Sequence, residues 1–351
     1  MLIVDGHLDL AMNALYLQRD LRLNALDQRA LEGGLSGMGL GAGTVGFPNM
    51  RAGGVGLCFA TFIARARRHG DPRIDVGTPE AAHAHALGQL AYYREMERQG
   101  VVRIISDPAA LNAHVTDWNA HLDAAPIGLV LSMEGADPIV EPASLGAWTA
   151  QGLRIVSLVH YGEGRYAWGT GTDGPVKPAG HELLTEMERL NVILDVTHLC
   201  DQAFFDAMAS FNGPVLATHS NCRALVPDGR QFSDEQIKLL LERGAVIGAA
   251  LDAWMLTPGW LRGQTSPANT SLENYVDQID HVCQLAGNAN HAAIGTDLDG
   301  GYGTEQTPRD LDTITDLARI PAMLTERGYS QADVAKIMHG NWIALLARVW
   351  G

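Results

Sequence analysis

Residues 192–219 read VILDVTHLCDQAFFDAMASFNGPVLATH. Two short apolar runs, Val192–Val196 and Pro214–Ala217, are each followed at once by Thr-His, which places His198 and His219 in equivalent positions. Apolar side chains at successive rather than alternate positions suit strands buried on both faces, and such strands belong to parallel sheets. The segment between the runs has room for a helix, so the stretch reads as strand, helix, strand.

The same unit recurs along the chain. Strands are expected at Leu2–Val4, Val55–Phe62, Ile127–Leu131, Leu153–Val159, Val192–Val196, Pro214–Ala217, Ala245–Ala250 and Ala292–Gly295. Helix starts fall between them. Thr78-Pro79-Glu80 offers a cap ahead of a proline, Ser233-Asp-Glu-Gln236 is a capping box, and Pro178 leads into a helix ending near Leu190. Eight strands alternating with helices predict an α/β fold of the (β/α)8 TIM-barrel type, with a doubly wound open sheet as the alternative. No linker divides the 351 residues, so 1–351 is read as one domain. The Gly-rich stretch Gly33–Gly46 follows no strand directly and lacks a closing Gly-Lys-Ser/Thr, so it is read as a mobile loop over the barrel mouth rather than a phosphate cradle.

Composition excludes several functions. With 46% hydrophobic and 19% charged residues the chain can bury a large core. Its 25 Lys plus Arg against 40 Asp plus Glu leave a net charge of −15, which repels nucleic acid and anionic membrane surfaces. Cys58, Cys200, Cys222 and Cys283 form no Cys-x-x-Cys pair, so buried reduced thiols in a cytoplasmic protein are expected. Neither a basic, apolar leader nor an apolar stretch of about 18 residues is present in the sequence.

The chemistry lies at the strand ends. His7-Leu8-Asp9 follows the first strand, and side chains at i and i+2 of an extended segment converge. Glu134 follows the third strand, His160 the fourth, His198 the fifth, His219 the sixth and Asp297 the eighth. In this fold the C-terminal rim is where active sites are built, so the recurrence argues for one centre. Imidazoles and carboxylates together suit Zn²⁺ and tolerate Mn²⁺, Co²⁺ or Fe²⁺. Two ions need a bridging anion: Glu134 can bridge on one side while a hydroxide bridges on the other. The remaining histidines receive plainer readings. His69, His83, His85, His114 and His121 are taken as solvated, and His181, His281, His291 and His339 as structural or peripheral.

The pattern resembles the renal (membrane) dipeptidase family, peptidase family M19, of the amidohydrolase superfamily. The matching segments are Val4-Asp-Gly-His-Leu-Asp9, Arg51-Ala-Gly-Gly-Val55, Ser132-Met-Glu-Gly135, Leu158-Val-His160, Leu194-Asp-Val-Thr-His198, Ala217-Thr-His-Ser-Asn221, Arg230-Gln-Phe-Ser-Asp234, Ile294-Gly-Thr-Asp-Leu-Asp-Gly300 and Gly340-Asn341. They occur in family order over almost the whole chain. The resemblance implies a zinc-dependent dipeptidase in which His7, Asp9 and Glu134 hold one zinc and Glu134, His198 and His219 the second. It implies that His160 stabilises the oxyanion, that Arg230 clamps the substrate carboxylate, and that Asp297 carries a proton from the bridging hydroxide to the leaving amine. A dipeptide, among them one with a C-terminal D-residue, is the implied substrate. An N-acyl amino acid, a lactone or another small amide is the alternative, and a non-catalytic binding protein the third reading. Family members are often dimers, so the resemblance also allows a homodimer. Two segments depart from the family pattern, Tyr161–Thr170 and Leu251-Asp252-Ala-Trp254. Asp252 is read either as a partner for a cationic substrate group or as a solvated loop residue.

Overall fold

The computed structural model describes residues 1–351 apart from 36, 38, 68, 69, 72 and 123. Nine strands are present among the described residues: β1 (Ile3–Leu8), β2 (Val55–Phe62), β3 (Val102–Ile104), β4 (Ile127–Met133), β5 (Leu153–Ser157), β6 (Ile193–Asp195), β7 (Val215–Leu216), β8 (Ile247–Ala249) and β9 (Ala292–Ile294). All pairings between them are parallel, in the order β7-β6-β5-β4-β2-β1-β9-β8. The ends of this path meet through the parallel bridge Ala217–Ile247, where Gly248 N donates to Ala217 O at 2.8 Å and Ala217 N to Val246 O at 3.0 Å. The sheet is therefore an eight-stranded barrel, and the open-sheet alternative falls away. Closure is tight because a Cβ on Gly248 or Gly295 would collide with the Thr218 carbonyl oxygen. Only glycine lets β8 and β9 approach the end of β7 that carries His219.

Two strands differ from expectation. β3 was not anticipated: Val102-Arg-Ile is too short to show a period. It pairs with residues 127–129 of β4, along the edge that β5 takes over at 131–133. β1 runs on to Leu8, so His7 lies inside the strand rather than after it, and Asp9 is the residue that follows. The sequence reading stopped at Val4 because Asp5 and His7 break the apolar run, yet both are buried. Asp5 accepts from His7 N (3.2 Å), Thr296 N (2.8 Å) and the Thr296 hydroxyl (2.6 Å), tying β1 to the segment after β9.

The anticipated helices are in place. Pro79–Arg98 starts at the Thr78 cap, Asp234–Glu242 at the reciprocal Ser233–Gln236 box, and Pro178–Arg189 ends beside Leu190. Between β6 and β7 the expected helix is Asp201–Ser210. Among the described residues no helix is long and apolar enough to cross a membrane. The four cysteines are buried and unpaired.

Described residues of the Gly-rich stretch are hydrogen-bonded to the barrel rim. Asp299, just past β9, accepts from Thr44 N (2.8 Å), the Thr44 hydroxyl (2.7 Å) and Val45 N (3.0 Å). Arg19 joins Asp299 (3.1 Å), Glu32 (2.6 Å) and the Gly39 carbonyl (2.6 Å). The second half of the stretch is thereby fastened to the barrel rim. Ser36 and Met38, and likewise His69, lie outside the described residues. His114 is fully buried with Nε2 on the Gly56 carbonyl at 2.8 Å, which corrects its solvated reading.

Candidate functional site

Six of the nine strands, β1, β4, β5, β6, β7 and β9, bring the expected site residues to the same face of the barrel. Glu134 follows β4 directly, with its N–H donating to the Phe62 carbonyl at 2.9 Å. His198 and Asp297 lie beyond β6 and β9 at φ 71° and 58°. Such left-handed backbone is uncommon outside glycine, and here it turns both side chains inward over the barrel mouth.

Glu134 is the hub. Its Oε1 lies 3.0 Å from His198 Nε2, 3.4 Å from His219 Nε2, 3.6 Å from His7 Nε2 and 3.9 Å from His160 Nε2. His7 Nε2 is also 3.9 Å from Asp9 and 3.8 Å from Asp297. Three overlapping groups thus have ligand-type atoms within 4.8 Å of one another: His7, Glu134 and His219; His7, Asp9 and Asp297; Glu134, His160 and His198. All five residues expected to hold metal come together. The grouping is more connected than the expected two sets, with Asp297 and His160 drawn into it.

The residues behind the histidines decide which nitrogen carries the proton. The Thr218 hydroxyl donates to the Asp195 carboxylate at 2.7 Å, so its oxygen is left to accept from His219 Nδ1 at 3.0 Å. The Thr170 hydroxyl donates to the His198 carbonyl at 3.3 Å and accepts from His198 Nδ1 at 3.0 Å. This leaves the His219 proton on Nδ1 with the Nε2 lone pair facing Glu134, and both Thr170 contacts are satisfied together when the His198 proton is on Nδ1 as well. The two Nε2 atoms approach to 3.1 Å with no hydrogen between them. His7 is 1% exposed and neither ring nitrogen has a partner. Lone pairs and carboxylate oxygens packed this way call for a cation, so the donor set fits a divalent metal.

The electrostatics agree. Burial drives the His7 imidazole down to about 3, and those of His198 and His219 well below their ordinary value, so all three are neutral and able to act as ligands. Burial lifts Asp9 to about 6, against the Thr61 hydroxyl that donates to it. Burial, then the charges of Asp9 and other nearby carboxylates, push Glu134 and Asp297 well above the carboxylate range. A bound cation reverses that penalty.

Around this centre lies a cavity of about 270 Å³ whose walls include Glu134, His160, Arg230, Asp252 and Asp297. Arg230 is buried, anchored on the His219 carbonyl at 2.8 Å and the Ser220 hydroxyl at 3.2 Å, while its Nε has no partner. Asp252 is 3% exposed, which overturns its reading as a solvated loop residue. Its oxygens accept from Gln306 Nε2 at 2.8 and 2.9 Å, and Arg262 stands 3.7 Å away.

Sequence reasoning missed Thr61, Thr170, Thr218 and Asp195 as supports of the ligands. Asp195 had a signal, a lone acid inside the apolar run Val192-Ile-Leu-Asp-Val. Thr170 had none. It reaches His198 because residues 161–170 double back, with Gly162 N on Thr170 O (2.9 Å) and Gly169 N on Gly162 O (2.9 Å). That is one of the two segments departing from the family pattern.

The model of "Membrane dipeptidase (Peptidase family M19)" matches residues 1–351. "Dipeptidase aclJ" of Aspergillus oryzae is 26% identical over 358 residues, covering 99% of this chain and 78% of that protein. A Klebsiella pneumoniae protein described as lying in the pqqA 5' region is 29% identical over 233 residues, 64% of this chain and 83% of its own length. Among solved structures, a metallo peptidase from Rhodobacter sphaeroides, liganded with a phosphinate mimic of the dipeptide L-Ala-D-Ala, superposes with a TM-score of 0.78. It is 24% identical and the match covers 100% of this chain and 99% of that one, a likeness of fold.

Proposed function

The chain belongs to the membrane dipeptidase family, peptidase family M19, and from that premise we propose that it is a two-metal, zinc-dependent dipeptidase. The observation that carries this reading is the convergence of His7, Asp9, Glu134, His198 and His219 beside a cavity that also holds Arg230, His160 and Asp297. His7, Asp9 and Glu134 would hold one ion, and Glu134, His198 and His219 the other. Divalent metal bound there supplies Lewis acidity and makes hydroxide available at neutral pH.

The remaining steps fall to the chain's own side chains. Arg230, fixed by hydrogen bonds to the His219 carbonyl and the Ser220 hydroxyl and with its Nε–H among the donors left over, receives the substrate's terminal carboxylate. His160 donates a hydrogen bond from Nε2 to the oxygen of the scissile carbonyl as negative charge develops on it. Asp297, at the cavity wall and 16% exposed, takes the proton of the attacking water and returns it to the leaving nitrogen. The mark of a non-catalytic binding protein, a missing ligand or missing Asp297, is not found. We place the reaction in the cytoplasm on the strength of the four unpaired thiols.

The test is hydrolysis by the zinc-loaded protein of L,L- and L,D-dipeptides set against N-acyl amino acids and lactones. Dipeptides should be cleaved, those with a C-terminal D-residue among them, as the dipeptide mimic in the Rhodobacter sphaeroides protein suggests. Chelation should abolish turnover and zinc restore it. Turnover confined to N-acyl amino acids or lactones moves the substrate to the alternative class.

Asp252 sharpens the substrate. Burial raises its carboxyl to about 7, opposed by the Arg262 charge and the Gln306 amide. An acid buried in the substrate cavity whose counter-ion among the described residues is the half-exposed Arg262 is suited to a cationic group on the substrate. Asp252→Asn should weaken kcat/KM for a lysine-containing dipeptide about tenfold relative to Ala-Ala, one unit of decimal discrimination. In the unchanged protein this preference should strengthen as pH rises through about 7, since the carboxylate form is the attractive one. Equal losses for both dipeptides would leave Asp252 a structural residue.

A further inference from the structure

His160 is the odd imidazole of the cluster. Like His198 and His219 it presents Nε2 to Glu134 Oε1, at 3.9 Å. Among the described residues no threonine stands behind it. Its Nδ1 meets Arg65 NH1 at 3.2 Å. A guanidinium has donors and no acceptor, so Nδ1 must offer a lone pair and the ring proton must sit on Nε2.

Arg65 is held for this contact. Past β2 the chain folds back, with Arg65 N on Ile74 O (2.6 Å) and Val76 N on Arg65 O (2.9 Å). Asp75 then lies alongside and takes the other edge of the guanidinium: Nε to Oδ1 at 2.5 Å and NH2 to Oδ2 at 2.7 Å. The Asp75 side chain is 1% exposed and also accepts from Asp71 N at 2.6 Å. Two arms of the fork are consumed by Asp75, and NH1 is the arm left to face the imidazole.

We propose that Arg65, clamped by Asp75, is a positioning residue that keeps His160 a hydrogen-bond donor and off the metal. The histidines around one glutamate oxygen are sorted by what stands behind them. Threonine hydroxyls with committed protons make His198 and His219 ligands, and a guanidinium makes His160 a donor. The sorting is needed because His160 forms a ligand-capable group with Glu134 and His198. With Nδ1 free, the ring can move its proton there and turn an Nε2 lone pair on the ion. The inference rests on the donor role of His160 in the dipeptidase reading.

Ring ¹⁵N chemical shifts of His160 in the zinc-loaded full chain read the tautomer directly, with His160→Gln supplying the assignment. The unchanged protein should show protonated Nε2; protonated Nδ1 there overturns the proposal without any variant. Arg65→Met should move the proton to Nδ1 and lower kcat for a dipeptide about a hundredfold, the scale of one lost oxyanion donor, with KM little altered. Arg65→Lys, which can still donate to Nδ1, should restore the Nε2–H signal and much of kcat. An Arg65→Met protein that keeps the Nε2–H tautomer refutes the role. Failure of the dipeptidase reading alone would leave the shifts as expected while no dipeptide is turned over.

Discussion

Glu134→Gln should lose both metal ions together, measured by elemental analysis after dialysis, and dipeptide turnover should vanish with them. The reason is geometric. One oxygen, Oε1, stands 3.0, 3.4 and 3.6 Å from the Nε2 atoms of His198, His219 and His7, which belong to both expected sites. Glutamine removes the charge that offsets two cations. It also replaces one ligand oxygen by an NH2 group that cannot coordinate. Loss of a residue merely supporting a ligand typically costs about 10–100-fold in affinity, so loss of a shared ligand should exceed about a hundredfold at each site. The fold should survive, since the change is isosteric and removes a buried acid that burial already disfavours. Full occupancy of either ion in the variant would mean that Glu134 does not bridge.

The second large effect separates proton transfer from metal binding. Asp297 Oδ1 is 3.8 Å from His7 Nε2 and sits in one ligand-capable group with His7 and Asp9, so it has two available roles. As proton carrier it predicts that Asp297→Asn keeps both ions while kcat falls by about two orders of magnitude or more. Asparagine is the right replacement for a backbone reason: φ at this position is 58°, and Asn tolerates left-handed backbone as Asp does, where Ala would add strain. Metal content and kcat measured on the same preparation decide the matter. Loss of an ion with the activity assigns Asp297 to the metal, and retained activity assigns the proton to another group.

These two residues show how far the sequence reaches. Glu134 and Asp297 were legible because each lies just past a short apolar run, and barrel geometry puts every such position on one rim. The same logic located His198, His219 and His160. Arg230 and the division of ligands between two ions came from resemblance to a family, and residue type alone would not have supplied them. β1 was read short because its buried polar residues break the hydrophobic pattern that marks a strand. Sequence alone does not decide between the two readings of Asp252, because burial of a loop acid depends on Gln306 and Arg262, which reach it only in the folded chain.

The sequence by itself determined the alternation of strands and helices and the residues gathered in the candidate metal centre, since strand period and the residue ending each strand are local properties. Closure into a barrel was decided by the Ala217–Ile247 pairing. Tertiary structure alone decided what each histidine offers to that centre. Imidazole is a donor or an acceptor according to the group on its far nitrogen. That group is Thr170 for His198, Asp195 acting through Thr218 for His219, and Arg65, 95 residues away in the chain, for His160. No local pattern can encode such a choice, because it is made by hydrogen bonds between segments that meet only when the barrel closes.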